Sequence, residues 1–500
     1  MAELTSVQRF VLLPPRGMRA TGIQGSPVLT TFLTSLSQLH GTESARASVG
    51  TGPGLRMKVL DSIHEDGAKL VEMSPETALA LRAAQPSLLM VPEVFYKPAV
   101  VRYEVRERFK TAAGALTTRI KLKIASKADG KPVAGALVVA FIDFANRIGA
   151  QGTTNNSGEI SLNLGAAKKK LQRLYVYPAK NHWGALKKNL TVTTGTVVGL
   201  EGIDLGFTDC LRHFYGGPAD DAGAGVRVGI VDSGVDLAHP DLSVAGGENT
   251  VTGENAANFG DNGREGHGTH VAGIVGARGT PPTGMRGVAP AASIFSFRVF
   301  GQGQDRASNF AIAKAIDRAV ALGCDLVNMS LGGGPADALT RLAIDDARNA
   351  GVAVIVAAGN DDRSPVSFPA AEPLAIAISA MGRKGTFPVG STTAGDVAAP
   401  FGKDKKNFVA SFSNIGTEID LTGPGVGVVS TVPGGHAPMS GTSMACPAVT
   451  GFAARLLSGQ PAIMNMSRDQ ARSDAILQML TEAAKKLGFG PPFEGQGLPR

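Results

Sequence analysis

The sequence predicts an α/β protein: a doubly wound parallel sheet in the C-terminal half, preceded by a small α+β domain and a β-rich module. Three observations carry this. After Val226, apolar runs (VRVGIVD, ASIFSFRV, CDLVNMS, AVIVAAG, LAIAISA) alternate with helix-periodic stretches over His267–Ala277, Ser308–Leu322, Ala336–Ala350 and Ser443–Leu457. Such alternation implies parallel strands with helices on both faces. Between Val101 and Val198, short alternating runs dominate and helix signal is nearly absent. Before Val100, strand and helix signals interleave. The chain has 500 residues, 43% hydrophobic and 18% charged, which suits several packed domains and excludes disorder. We divide it at 1–100, 101–200, a linker at 201–225, and 226–500.

The first domain opens with a strand, QRFVLLPP, and a helix over Ser26–Leu39. Thr42–Gly54 is small and polar and reads as a loop. RMKVLDSIHEDGAKLVEMS reads as two strands around Asp66-Gly67. SPETALALRAAQPS begins with serine then proline, a helix start, and VPEVFYKPAV closes as a strand. The order βαββαβ is that of a ferredoxin-like α+β domain.

In the second domain the runs VRYEVRERF, TTRIKLKIAS, GALVVAFIDF, GEISLNL, RLYVYPA and NLTVTT are separated by turns such as Asp129-Gly130 and Asn155–Gly158. An antiparallel β-sandwich is expected. Its single tryptophan, Trp183, is expected in the core. GGPADDAGAG at Gly216–Gly225 has linker composition.

Four residues of the last domain invite a chemical reading. Asp232 ends an apolar strand, where open α/β sheets place their sites. His267 enters a helix within GHGTHVAGI. With His270 it could ligate a metal, but no third ligand of matching spacing accompanies the pair. Asn360 follows the strand AVIVAAG and carries an amide donor suited to an oxyanion. Ser443 opens the helix of GTSMACPAVTGFAARLL, where free backbone N–H groups converge. Each has a purely structural alternative: a turn-capping aspartate, a turn asparagine, a serine N-cap.

Together, in the order Asp232, His267, Asn360, Ser443, they resemble the subtilisin-like serine proteases. The surrounding runs VDSGVDLAHPDL, HGTHVAGI, NMSLGG, VAAGN, LTGPG and GTSMACP carry the resemblance, which extends from about Val226 to about Pro499. It implies a subtilisin-like fold and hydrolysis of peptide bonds. Ser443 would be nucleophile, His267 base, Asp232 orienting acid and Asn360 oxyanion donor. The backbones of Ser330, Leu331, Gly332 and of Gly301–Gln304 would flank an extended peptide. Ala357, Ala358 and Gly359 would wall a roomy first pocket with Ser367 near its floor, and Asp361 could reach the rim. The alternative, a fold kept as a latent or binding protein, would show a broken triad, and every member is present.

The first domain, with its helix followed by VPEVFYKP, resembles the inhibitory propeptides of the same family, which implies an intramolecular inhibitor laying its last strand through the cleft. The second domain resembles carboxypeptidase-regulatory-like modules, which implies a spacer or recognition role. Self-cleavage would fall at Tyr96–Val100 or Gly216–Gly225, and the sequence does not choose. No cofactor is implied for catalysis. Asp241 resembles a family calcium ligand, yet the loop after Ala277 (RGTPPTGMRG) lacks the asparagine-rich ligand pattern. Phe368-Pro369 matches a position where relatives carry a cis proline.

The remaining features exclude other classes. The net charge of +7 is scattered over short lysine clusters such as Lys168–Lys170, with no aromatic interleaving, so nucleic acid is not an expected partner. Three cysteines are too few for a disulfide framework, and Cys446 is expected to pack beneath the site. The N-terminus lacks a Sec-type signal, and no run is apolar enough to span a bilayer. The expected compartment is the cytoplasm or one reached by a non-Sec route.

Overall fold

A computed structural model of the protein describes residues 7–20, 27–37, 45–47, 55–108, 119–264 and 266–500. Its largest sheet has nine strands. They run in the order Val244–Asn249, Ser293–Arg298, Arg227–Asp232, Leu326–Met329, Ala353–Ala357, Ile376–Arg383, Asn407–Ala410 and Val397–Phe401, with Leu421–Pro424 also beside Ile376–Arg383. Pairing is parallel except at Asn407–Ala410 and Val397–Phe401. The central strands are almost wholly apolar because helices cover both faces. His267–Gly276 and Thr442–Leu457 enclose one apolar cluster, and Asn309–Ala321 and Ala338–Asn349 the other. Val231 pairs with Met329, and Met329 with Val356. This register brings Asp232, Ser330 and the Gly359-Asn360 turn out at one carboxyl edge.

Before Val100, five antiparallel strands lie in the order Ala45–Ala47, Leu55–Ser62, Lys69–Met73, Gln8–Leu13, Leu89–Pro92. Alternation along Gln8–Leu13 sends Phe10 and Leu12 to one face and Val11 and Leu13 to the other. Phe10 and Leu12 pack with helices Pro27–Ser37 and Pro75–Ala84 through Leu29, Leu33 and Leu81. Val11 and Leu13 join the cluster of helices Asn309–Ala321 and Ala338–Asn349. Ser74 caps its helix by accepting the Thr77 N–H at 3.2 Å, with Pro75 in the first turn. Within the expected loop Thr42–Gly54, residues 45–47 pair as an edge strand, and 42–44 and 48–54 lie outside the described residues. The expected closing strand divides in two: Leu89–Pro92 stays in this sheet, while Phe95–Pro98 leaves it for the large domain.

Residues 119–200, with Glu107–Arg108, form a five-stranded and a three-stranded sheet around one apolar cluster. Most pairs are antiparallel, but Thr196–Leu200 runs parallel to Arg119–Ser126, and Glu107–Arg108 parallel to Ile148–Gly149. The expected strand VRYEVRERF is reduced to Glu107–Arg108, because Val101–Val105 is held in the seam between this module and the large domain. Trp183 is buried, its ring edge-on to Phe207. The expected linker is packed rather than free: Cys210–Tyr215 is a helix capped by Asp209, and Tyr215 Oη donates to Pro499 O at 2.8 Å. Among the described residues no helix is long and apolar enough to cross a membrane.

Candidate active site

Asp232 ends its strand fully buried, and its Oδ1 lies 2.7 Å from Nδ1 of His267, the first residue of its helix. The same oxygen accepts the Ser233 N–H at 2.7 Å. Oδ2 of Asp232 and Nε2 of His267 are buried without partners. His270, one turn on, faces elsewhere: its Nε2 meets Val428 O at 3.1 Å and Ala437 O at 2.9 Å. Burial pushes its imidazole down to about 3, so it is a neutral structural residue.

Ser443 is buried near the start of helix Thr442–Leu457. Its Oγ donates to Ser330 O at 2.9 Å rather than to His267. The Ser330 hydroxyl returns a bond to Ser443 O at 3.0 Å. Asn360 is oriented by Thr442, whose N–H and hydroxyl donate to its Oδ1 at 2.9 and 3.0 Å. The Asn360 amide nitrogen is therefore turned outward. Thr442 went unread in the sequence, although its place between Gly441 and Ser443 was a local signal.

The object facing these groups is the chain itself. The Ala99 carbonyl accepts the Ser443 N–H at 3.2 Å and the Asn360 Nδ2–H. The Ala99 N–H donates to Ser330 O at 3.1 Å, the same carbonyl that takes the Ser443 hydroxyl. Upstream, Pro98 and Lys97 pair with Leu331 and Gly332, and Tyr96 and Phe95 with Ala307 and Ser308. Phe95–Pro98 is thus the middle strand of three. The second flanking strand is Ala307–Ser308, not the expected Gly301–Gln304, which turns back on itself through Gln304 N–H to Gly301 O. Downstream, the Val101 N–H donates to Ser440 O at 3.0 Å. Gly441 permits the passage, since a Cβ there would stand 2.5 Å from Ala99 O.

Ala357 and Ala358 are buried behind this point, and Gly359 and Ser367 line the cavity that also holds Ala99. The Ser367 hydroxyl donates to Ala358 O at 3.1 Å. Asp361 lines the same cavity, with its carboxylate bonded to Asn414 Nδ2 at 3.0 Å. Cys446 is fully buried below, bonded to Asn328 Oδ1 and Ile355 O at 3.2 Å. Burial pushes its thiol well up, so it is an unreactive packing residue.

A model of the subtilase family matches residues 223–498, more than half of the chain. The chain belongs to the subtilase family. It is similar to subtilisin NAT of Bacillus subtilis subsp. natto, 37% identical over 263 residues that cover 51% of this chain and 61% of that protein. It is also similar to subtilisin DY of Bacillus licheniformis, 36% identical over 281 residues, covering 55% of this chain and 89% of that one. A thermostable alkaline protease of Halalkalibacterium halodurans is 34% identical over 277 residues, covering 55% and 66%. The chain thus spans about three fifths of the length of the first of these relatives.

In this subtilase Asp241 belongs to a cluster with His239 and His436, whose potential ligand atoms lie within 4.8 Å of one another. Several of these atoms also make hydrogen bonds. Asp241 Oδ2 takes His436 Nε2 at 2.7 Å and the Met285 N–H at 2.8 Å. His239 uses one ring nitrogen on the Asp241 N–H and the other on Gly435 O. The trio fastens the 278–287 loop to the hairpin that ends at Met439. The Phe368–Pro369 peptide is cis.

Proposed function

We propose that this subtilase is a serine endopeptidase, and that residues 1–99 are both its inhibitor and its first substrate. One observation carries the reading: a backbone carbonyl, that of Ala99, accepts from the Ser443 N–H and the Asn360 amide together. Two convergent donors at a nucleophile are what an acyl-transfer site needs to hold an oxyanion. Asp232, His267 and Ser443 form the triad, and Ser330, Leu331, Gly332, Ala357, Ala358, Gly359 and Ser367 form the substrate cleft.

For reaction, the Ser443 hydroxyl leaves Ser330 O and turns to His267 Nε2, which is free to accept its proton. Asp232 fixes the imidazole so that Nε2 presents its lone pair, and it stabilises the imidazolium that follows. Ser443 Oγ bonds the Ala99 carbonyl carbon, the bond to Val100 N breaks, and His267 returns the proton to that amine. Water then cleaves the ester and frees the Ala99 carboxylate. The Ser443 hydroxyl held on Ser330 O fits a resting serine that has not begun this attack. The first ninety-nine residues are an inhibitory propeptide-like α+β domain of ferredoxin-like order. The β-sandwich module lies on the product side. The Gly216–Gly225 alternative is disfavoured, since Gly223 N–H binds Ser458 Oγ and Ala222 O accepts the Ala291 N–H.

Intact mass and N-terminal sequencing of wild type beside Ser443→Ala, with a fluorophosphonate probe on both, test this reading. Wild type is expected as fragments 1–99 and 100–500 with a labelled large fragment, and Ser443→Ala as one unlabelled chain. A wild type both uncut and unlabelled would overturn the reading. A cut within 216–225 would move the site.

A further inference from the structure

We infer that Asp337 makes this cleft select tyrosine at the fourth residue before the scissile bond. The inference rests on the reading that Tyr96–Ala99 lies in the cleft as substrate. Tyr96 is fully buried while its neighbour Phe95 is 46% exposed, so the strand turns the tyrosine inward. Its hydroxyl donates to Asp337 Oδ2 at 2.5 Å, with Pro335 O 2.8 Å away. Burial and the facing carboxylate push the phenol well up, so it stays protonated and donates. The ring lies against Gly334, where a Cβ would come within 2.6 Å of Cε1, and is tilted over Phe368 with centroids 6.0 Å apart. The pocket is therefore flat, apolar along its walls and acidic at its end.

Asp337 has a second duty that explains one of its oxygens but not the other. Oδ1 caps helix Ala338–Asn349, accepting the Thr340 N–H at 2.9 Å and Asn309 Nδ2 at 3.3 Å. A cap needs only that oxygen. Oδ2 bonds the tyrosine, and nearby Thr340 Oγ1 is buried without a partner. A phenylalanine in this pocket would leave a buried carboxylate oxygen unsatisfied. Sites that bind a substrate hydroxyl discriminate strongly against the analogue lacking it.

The test uses the full chain after it has processed itself. Succinyl-Tyr-Lys-Pro-Ala-p-nitroanilide and its Phe and Leu counterparts are compared by kcat/KM in wild type, Asp337→Ser and Asp337→Asn. Both replacements keep a capping oxygen, and serine removes the second oxygen entirely. Wild type is expected to favour the Tyr peptide over the Phe peptide on the order of 10–100-fold, and both variants to bring that ratio toward one. Equal wild-type rates on Tyr and Phe peptides, or a ratio unmoved in Asp337→Ser, would overturn the inference while leaving the protease reading standing. Should the chain cut itself but not the peptides, the self-cut rates of Tyr96→Phe, Asp337→Ser and the double variant decide: the inference expects the two changes to be non-additive, and additivity overturns it. Cleavage of neither peptides nor chain would remove the protease reading and the inference together.

Discussion

The two sides of the Ala99–Val100 bond are held by different partners. Upstream, Phe95–Pro98 is clasped between two strands of the large domain. Downstream, the large domain contributes the Val101–Ser440 bond, and the β-module supplies most of the rest. Tyr103 N–H donates to Tyr177 Oη at 3.2 Å, Val105 N–H to Gln151 Oε1 at 2.7 Å, and Arg106 N–H to Arg147 O at 3.0 Å. The difference teaches what a cut would leave behind. Residues 1–99 would remain by non-covalent contacts alone and could depart. Residues 100–108 would stay, because the module that holds them is covalently continuous with the large domain. On the proposed reading, occupancy of the upstream side is then removable by dissociation, and occupancy of the downstream side only by loosening the module.

The change that breaks the upstream hold on chemistry most is Asn360→Ala. It removes one of two donors to the Ala99 carbonyl and leaves the strand pairing intact. In subtilisin the loss of such a donor costs on the order of 10²–10³ in turnover. The same loss is expected here in the rate of fragment appearance by intact mass. An unchanged rate would show that Asn360 only positions the strand.

The downstream hold is expected to depend on pH through Asp396. This carboxyl is buried in the seam with Val101, Tyr103, Tyr177 and Ser440. Burial raises it to about 7, partly offset by the Ser440 hydroxyl, with Asp362 adding a further upward push. Between about pH 4 and 7 the folded form keeps a proton that the unfolded form has lost, so stability falls as pH rises through that window. The effect is expected on the order of 2 kcal/mol, read as a lower melting temperature at pH 8 than at pH 5. Asp396→Asn should flatten that difference, and a slope that persists would assign it elsewhere.

The residues of the site and its occupant differ in how legible they were. Asp232, His267, Asn360 and Ser443 each sit in a local run whose strand end or helix start fixes the backbone, so short stretches were enough to mark them as candidates. The alternation of the α/β half was legible for the same reason. The occupant was not. Tyr96 and Asp337 are 241 residues apart, and Asn360 and Ala99 are 261. No periodicity connects such positions. Val101–Val105 has the alternation of a strand, but its N–H groups go to Ser440, Tyr177 and Gln151 instead of a ladder. Gly301–Gln304 and Ala307–Ser308 are two residues apart in the chain, and only the docked strand distinguishes them. Helix Cys210–Tyr215 was hidden by the linker composition that follows it.

The smallest expected effect sharpens the other half of the comparison, the departure of residues 1–99. Away from the cleft, the side-chain contacts between that domain and the large one include Met18 N–H to Asp346 Oδ2 at 2.7 Å, His64 Nε2 to Asp317 Oδ1 at 2.8 Å, and Lys314 Nζ to both Asp61 oxygens at 2.9 and 3.0 Å. The Lys314–Asp61 pair is the most instructive to remove, because both side chains are largely covered, at 21% and 14% exposure. In Lys314→Ala, Asp61 keeps Thr252 Oγ1 at 3.0 Å and loses its cation. Such a pair is worth about 1 kcal/mol, or roughly fivefold in dissociation. After the cut, hydrolysis of a p-nitroanilide peptide should therefore rise about fivefold sooner in Lys314→Ala than in wild type. Arg9→Ala is the control, since its partners Glu72 and Glu93 belong to the departing domain itself. Equal acceleration in both variants would mean that the domain leaves by unfolding rather than by release of this interface.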